Sequence, residues 1–567
     1  MNALASQIGP GLLVAALAAP LAVLVIFLAP GLRGFARALI PLAGAPALVA
    51  AALAIGGAPL GAGLAALRMS LSLDRPGGLL LLAAALVWLI ASLIAFPRAP
   101  AAVAAIADRG WRDQRSRLQA LDGVYGSDRF AVAWLLTMAG SLGVFIAADL
   151  LTFYLVYALV SIPAYYLVAR DEDSTSKRAG AVYLAFALLG EAALLIALIM
   201  LAAGEPNGSL QIRDAVAALP ASPWRSAALA LVIIGFGMKI ALAPLHGWMP
   251  LAYTAAPIPA AAVLSGAGVK AGVIGLIRFL PLGAALPNWG EALVWAGFVS
   301  AFYGVAIGVT QRNPKAVLAY SSVSQMGVIA AALGMGLASS QHGKATEVAF
   351  YAANHVLVKA ALFLTVGAVA ALDGRARTLV LIAAALLGLS LAGLPLTGGS
   401  LAKLAVKDLF GYGAAGLASQ LSAAATTALM LIFVMRLARL RGEGGAASPG
   451  RVGPWAALTV AALLLPWLQF AAIGDPAETL EPAKLIDAIW PMLIGAALAA
   501  GLWAFRDRLP RIPPGDIVVA EEGAFRRLTA LGPAFDRADL TLRRWPAAGV
   551  ALIAIVLALA AAGWASR

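Results

Sequence analysis

Lys239, Lys270, His355 and Lys359 lie inside apolar stretches long enough to cross a bilayer. A charge at that depth costs at least about 2.5–3.5 kcal/mol, so such groups usually face a bundle interior or a water path. Burial disfavours the charged form of an amine, which lets a lysine exchange protons near neutral pH. Histidine titrates in that range without large perturbation. His355 and Lys359 are spaced i, i+4 and share one helix face. Two more groups fit the pattern: Glu191, between Leu188-Leu-Gly and Ala192-Ala-Leu-Leu, and Lys403, in a Gly-rich apolar run. The chemistry indicated is charge movement through a membrane, with each site shifting the next by Coulomb coupling that is stronger in low dielectric than in water.

The elements that must hold these groups are membrane helices. Of 567 residues, 62% are hydrophobic and 12% charged, and the mean hydropathy is +0.91. Apolar runs of about 20 residues, the length that spans the hydrocarbon core, recur from Gly11 to Gly563. The first, Gly11 to Leu28, has no basic segment before it and is followed by more spans, so it reads as a transmembrane helix rather than a cleaved leader. The chain has no cysteine, which excludes disulfides and thiolate ligation of zinc or iron–sulfur clusters. Its three histidines, His246, His342 and His355, are far apart in sequence. No metal site or cofactor site is read. The net charge of +13 is carried by arginines in short loops, where topology explains it without nucleic acid.

About sixteen spans (14–16) are expected, near 10–30, 36–56, 77–97, 129–149, 150–169, 179–203, 227–256, 258–280, 288–310, 315–338, 346–371, 377–415, 416–437, 453–473, 484–505 and 546–564. Basic residues concentrate on alternate loops: Arg33 and Arg37, Arg98 to Arg117, Arg170 to Arg178, Arg312 and Lys315, Arg375 and Arg377, Arg436 to Arg451, and Arg506 to Arg544. The loop with Asp475, Glu478 and Glu481 is acidic. The positive-inside rule then puts both termini outside a bacterial cytoplasmic membrane. Two spans are interrupted: Pro244 and Pro250 break the stretch from Lys239, and Pro395 with Gly398 and Gly399 breaks the stretch before Lys403. Broken backbone at membrane depth requires protein or a water-filled cavity to satisfy it. The two breaks, about 150 residues apart, suggest a duplicated transporter unit. Four segments follow: 1–128, N-terminal helices; 129–280 and 281–440, one break each; and 441–567, with an amphipathic interfacial stretch over about 512–545.

The run Met238-Lys-Ile-Ala-Leu-Ala-Pro-Leu-His-Gly-Trp-Met-Pro250, continuing through Ala256-Pro-Ile-Pro259, Val269-Lys-Ala-Gly272 and Leu276-Ile-Arg-Phe279, resembles the core of the antiporter-like membrane subunits. These are shared by respiratory complex I, Mrp-type Na⁺/H⁺ antiporters and group 4 membrane-bound hydrogenases. The segments Asn313 to Gly327, Asn354-His-Val-Leu-Val-Lys-Ala-Ala-Leu-Phe363 and Leu394 to Lys403 fit as well, so the likeness covers roughly residues 70 to 440. The resemblance implies an all-α polytopic fold of two inverted five-helix repeats, each with a broken helix, around a polar axis in mid-membrane. It assigns Lys239 to the first broken helix, Lys270 to the next span, His355 and Lys359 to the eleventh span, and Lys403 to the far side of the second break.

Two positions depart from the family pattern. The glutamate usual in the fifth span is replaced by Ala158 in Phe153-Tyr-Leu-Val-Tyr-Ala-Leu-Val-Ser-Ile-Pro163, and Glu191 is expected to take its place as partner of Lys239. Gln325 stands where many relatives carry histidine; it can hydrogen-bond but cannot hold a proton as charge. Structural readings stand beside the functional ones. Lys239 could bond carbonyls freed near Pro244, Lys403 could snorkel, and Glu191 could pair with polar groups near Tyr183. His246 is read as bracing the broken helix, His342 as a loop residue, and Arg278 and Asp149 as interface or loop-end residues. The leading expectation is H⁺ (or Na⁺) translocation as one module of a hetero-oligomeric complex, with any redox chemistry in partner subunits. The alternatives are a cation-driven inorganic-carbon uptake complex with a soluble zinc protein, and a non-pumping membrane anchor.

Overall fold

A bilayer core offers the peptide backbone no hydrogen-bond partner, so apolar runs of this length fold as helices. The computed structural model describes residues 2–57, 59–64, 68–96, 127–170, 173–340, 344–440, 449–471 and 473–519. Among them, thirteen helices are long and apolar enough to cross a membrane. The chain is an all-α polytopic membrane protein. Of the other three expected spans, the one near 129–149 is a shorter helix, Asp128–Gly143, and the one near 227–256 is two helices, Arg225–Lys239 and Trp248–Ala255. The last, near 546–564, lies outside the described residues, as do most of the 512–545 stretch and His342. The chain divides into two units, Met1–Pro514 and Gly515–Arg567. Only 515–519 of the second is described, and everything below concerns the first.

Helix starts follow the local chemistry. Asp149 caps Leu150–Ser161 by accepting from the Thr152 amide at 2.8 Å and from its hydroxyl at 2.6 Å, and it also accepts from the Ser70 amide at 2.7 Å. Asn313 caps Pro314–Ser339, where Pro314 supplies the preset first turn. Arg278 donates to the carbonyls of Val144, Phe145 and Ala147, satisfying the chain after Asp128–Gly143. One small β-element was not anticipated. Leu60–Leu64 pairs antiparallel with Met69–Leu73, and Leu71 continues the pairing to Ala147. The two-residue alternation in Met69-Ser-Leu-Ser-Leu73 is the strand signal; segment 146–148 satisfies its edge, and 210–212 in turn bonds 148–150.

The spans differ sharply in how far other helices enclose them. Ile258–Phe279 and Pro314–Ser339 are wholly enclosed and Ala345–Ala371 is 94% enclosed, against 17% for Pro482–Ala504. These three central helices carry Lys270, Gln325, His355 and Lys359. Pro287–Gly308 packs antiparallel on Pro314–Ser339 at backbone contact. Gly290, Gly297 and Gly304, seven residues apart, face Gly334, Gly327 and the Tyr320–Ser324 turn. A Cβ on Gly297 would stand 2.5 Å from the Gly327 carbonyl oxygen, so only glycine fits there.

Candidate functional site: a buried titratable axis

The stretch after Lys239 leaves the helix, and residues 240–247 turn irregularly before Trp248–Ala255 begins. Neighbours satisfy the freed backbone. The Ala243 amide donates to the Ser300 hydroxyl at 3.1 Å, the Leu242 amide to the Gly237 carbonyl at 2.8 Å, and the Trp248 indole to the Met238 carbonyl at 2.8 Å. The Lys239 ammonium donates to the Ser161 hydroxyl at 2.7 Å. It stands 5.4 Å from the Tyr157 ring centroid, in the geometry of a cation–π contact. His246 lies within the break, edge-on to Tyr303 at 4.9 Å and inclined to Tyr320 at 6.0 Å.

Glu191 is buried beside this lysine, within electrostatic reach of both Lys239 and the Ser161 hydroxyl. It forms no ion pair with Lys239 within 4 Å, and its Oε1 has no hydrogen-bond partner among the described residues. Ser161 stands between the two charged groups and also donates to the Tyr157 carbonyl at 3.2 Å. Tyr183 donates to the Ser161 carbonyl at 3.1 Å. The cavity bounded by Tyr157, Ser161, Tyr183, Gly190, Lys239 and Trp248 has a volume of about 10 Å³, close to what one water needs.

The second centre is built by a π-helical turn. Leu264–Gly268 winds wider than an α-helix, and Lys270–Phe279 begins directly after it. Such single turns shift the register of every following side chain. Lys270 Nζ lies 2.6 Å from His355 Nδ1, both groups being fully buried. Lys359 donates to the Leu318 carbonyl at 2.7 Å, an oxygen that also accepts from Ser322 at 3.2 Å. Ser265, in the π turn, is 3.5 Å from Ser322. Further along the same pair of helices, Tyr351 donates to Gln325 Oε1 at 2.8 Å, and Gln325 Nε2 donates to Thr426 at 3.0 Å. Both ends of the Gln325 amide are therefore satisfied.

The second break lies between Gly374–Ala392 and Gly398–Phe410, with Gly393 at φ 103° and Leu396 at φ 61°. Here the lysine does bond the freed backbone: Lys403 Nζ donates to the Ala392 carbonyl at 2.5 Å. A cavity of about 330 Å³, bounded by Gly393, Pro395, Lys403, Lys407, Tyr412 and Asp487, adjoins it. Lys407 is ion-paired to Asp487.

The structure thus groups the predicted residues into Lys239 with Glu191, Lys270 with His355 and Lys359, and Lys403 alone at the second break. It adds Ser161, Ser265, Ser322, Tyr351 and Thr426, which sequence reasoning passed over. Their signal was a hydroxyl at helical spacing inside an apolar run, which many membrane helices carry for backbone bonding alone. Among the described residues no three His, Asp or Glu side chains come together as metal ligands.

The family described as NADH:quinone oxidoreductase/Mrp antiporter, transmembrane, matches residues 147–430, half of the chain and the part holding Glu191, Lys239, Lys270, His355, Lys359 and Lys403. Hydrogenase-4 component B of Escherichia coli (strain K12) is 34% identical over 229 residues, covering 38% of this chain and 34% of that protein. NADH-quinone oxidoreductase subunit N of Desulforudis audaxviator (strain MP104C) is 32% identical over 251 residues, covering 42% and 48%. The match therefore spans between a third and a half of these relatives' lengths. The solved Mrp complex from Dietzia sp. DQ12-45-1b superposes with a TM-score of 0.70 at 21% identity over 98% of this chain and 63% of that one, a likeness of fold.

Proposed function

Because the chain belongs to the NADH:quinone oxidoreductase/Mrp antiporter transmembrane family, we propose that it moves protons across the bilayer as the antiporter-like subunit of a hetero-oligomeric complex. The observation that carries this reading is the contact of Lys270 with His355 at 2.6 Å, with Lys359 within electrostatic reach. Two unit positive charges at that separation would repel by on the order of 6 kcal/mol even at an effective dielectric of about 20. The pair therefore holds at most one positive charge, shared across an amine–imidazole hydrogen bond. A site that is stable with one proton, and raised in energy by a charge arriving at Lys359, can pass a proton on.

Lys239, Ser161 and Glu191 form the companion switch. With the lysine charged, the hydroxyl accepts from it. When the proton leaves the lysine, the hydroxyl can rotate and donate toward the carboxylate. Glu191 serves in place of the absent acid at Ala158, through the serine rather than by direct contact. Lys403 holds the second break together and is the last basic group on the axis. The partners are other membrane and/or soluble subunits, and the alternation of basic loops supports a bacterial cytoplasmic membrane location with both termini on the outer face.

The test is proton flux in vesicles carrying the complex purified from native membranes, with its subunits identified by mass spectrometry. Lys270→Ala should abolish flux while the set of co-purified subunits stays unchanged. Undiminished flux in that variant would remove this centre from the route. Flux that requires Na⁺ and leaves the lumen pH unchanged would make Na⁺ the ion.

A further inference from the structure

The helix Ala345–Ala371 carries more than His355 and Lys359. Glu347, Tyr351, His355 and Lys359 follow one another at four-residue intervals. Neighbours at that spacing have Cβ atoms about 5–6 Å apart and share a face, the stripe winding slowly because four residues slightly exceed one turn. The stripe runs from the end of the helix at Ala345 to the middle of the bundle, and each of its three inner side chains has one polar partner. Tyr351 is fixed by Gln325, His355 by Lys270 through Nδ1, and Lys359 by the Leu318 carbonyl. His355 Nε2 has no hydrogen-bond partner among the described residues. Glu347, at the start of the stripe, is mostly buried, with a side chain 17% exposed. One of its oxygens is 3.4 Å from Lys344, which is also 3.7 Å from Asp408. The other oxygen, Oε2, is buried with no hydrogen-bond partner among the described residues.

We infer that Glu347 is the outer mouth of the proton route, connected to the Lys270–His355 centre through the Tyr351 hydroxyl. The inference rests on the proton-translocation reading above and names a residue that reading does not use. Its logic is positional. Glu347 lies where solvent and the enclosed helices meet, at the end of the bundle that the loop charges assign to the outside. It is the one acidic side chain of this helix. A proton taken up by the Glu347 carboxylate passes to the Tyr351 oxygen, which turns its O–H away from Gln325 Oε1 and releases its own phenolic proton toward His355 Nε2. Glu347 returns to carboxylate, Tyr351 ends as it began, and His355 gains one proton. The reverse order serves release. Ordered water can bridge polar groups that stand too far apart for direct contact. Lys344, flanked by Asp408, offers the carboxylate an alternative partner that sets whether it is paired or free to take up a proton. A purely structural Glu347 would instead close the first turn of its helix with Lys344 and favour the helix dipole, as first-turn acids do.

Flux and accessibility in the assembled complex separate these roles. Glu347→Gln keeps size and hydrogen bonding but carries no proton as charge; it should lower proton flux at least tenfold with assembly unchanged, and Glu347→Asp should retain most of the flux. Because the chain contains no cysteine, one introduced cysteine is its sole thiol. Glu347→Cys and Tyr351→Cys should react with a sulfonated, membrane-impermeant maleimide added outside, and Phe350→Cys, off the stripe and fully buried, should not. Flux within twofold of wild type in Glu347→Gln, while Lys270→Ala abolishes it, would overturn the inference and leave the translocation reading standing. Loss in neither variant would overturn both. Should Glu347→Gln fail to assemble, the labelling decides, and a Tyr351 site no more reactive than Phe350 would sink the route.

Discussion

Ser161 shows how one hydroxyl can replace a salt bridge. Lys239 and Glu191 are both buried, yet the ammonium's hydrogen bond goes to the serine. A direct buried pair would gain Coulomb energy against a large desolvation cost, and it would hold its proton distribution firmly. A hydroxyl, donor and acceptor at once, gives a weaker and reversible link. Ser161→Ala should therefore leave a buried ammonium without its partner, costing about 1–3 kcal/mol. The expected readout is a flux drop of several-fold in vesicles, with Ser161→Thr restoring it. Equal flux in the alanine variant would mean that Lys239 does not depend on this bond. Glu191 was legible as a lone acid in an apolar span. Ser161 was not, because its value comes from a lysine 78 residues away.

At the level of elements, two devices position the axis. One is the π turn at Leu264–Gly268, which resets the face on which Lys270 emerges. The other is the glycine-lined hairpin of Pro287–Gly308 and Pro314–Ser339. From one side its Ser300 holds the Ala243 amide of the first break, and from the other its Leu318 carbonyl holds Lys359. Gly297→Val would drive a side chain toward a carbonyl 2.5 Å from its Cβ and force the helices apart. Overpacking of this kind costs about 1–3 kcal/mol, so the variant should lower the melting temperature of the purified complex and its flux together. Gly283→Ala, in open space, should change neither by more than about 0.5 kcal/mol in stability. An unchanged melting temperature in Gly297→Val would mean that the helix pair tolerates separation. The breaks themselves were visible as prolines and glycines; the wider turn was not, since Leu-Ser-Gly-Ala-Gly268 gives no period by which to recognise it.

Across the first unit, charge is sorted to the two ends of the helices. Arg436, Arg439 and Arg506 surround the Trp503 ring at 4.6–5.8 Å, while Asp475, Glu478 and Glu481 fall in the loop before Pro482–Ala504. If the basic end faces the cytoplasm, a cysteine at exposed Arg213 should react with an impermeant maleimide in intact cells. One at exposed Arg375 should react only after permeabilisation. The opposite pattern would invert the topology and move Glu347 to the inner face. The uneven enclosure of the helices bears on partners too. Pro482–Ala504 leaves Ile486, Leu493 and Leu498 exposed, as a lipid-facing or subunit-facing helix would, whereas the three helices bearing the titratable groups are enclosed.

The sequence by itself determined the membrane class, most of the span positions, both helix breaks and the identity of the buried titratable groups. Each of these follows from local rules: apolar length, proline's missing donor, and the cost of charge at membrane depth. Tertiary structure alone decided which groups meet. Lys270 and His355 are 85 residues apart and touch at 2.6 Å. Lys239 bonds Ser161, while the Trp248 indole bonds the Met238 carbonyl in the first break. Lys403 bonds the Ala392 carbonyl at the second break. The physical reason is that a hydrogen bond forms only after packing has fixed where both partners stand, and in an enclosed bundle that packing is set by helices distant in the chain.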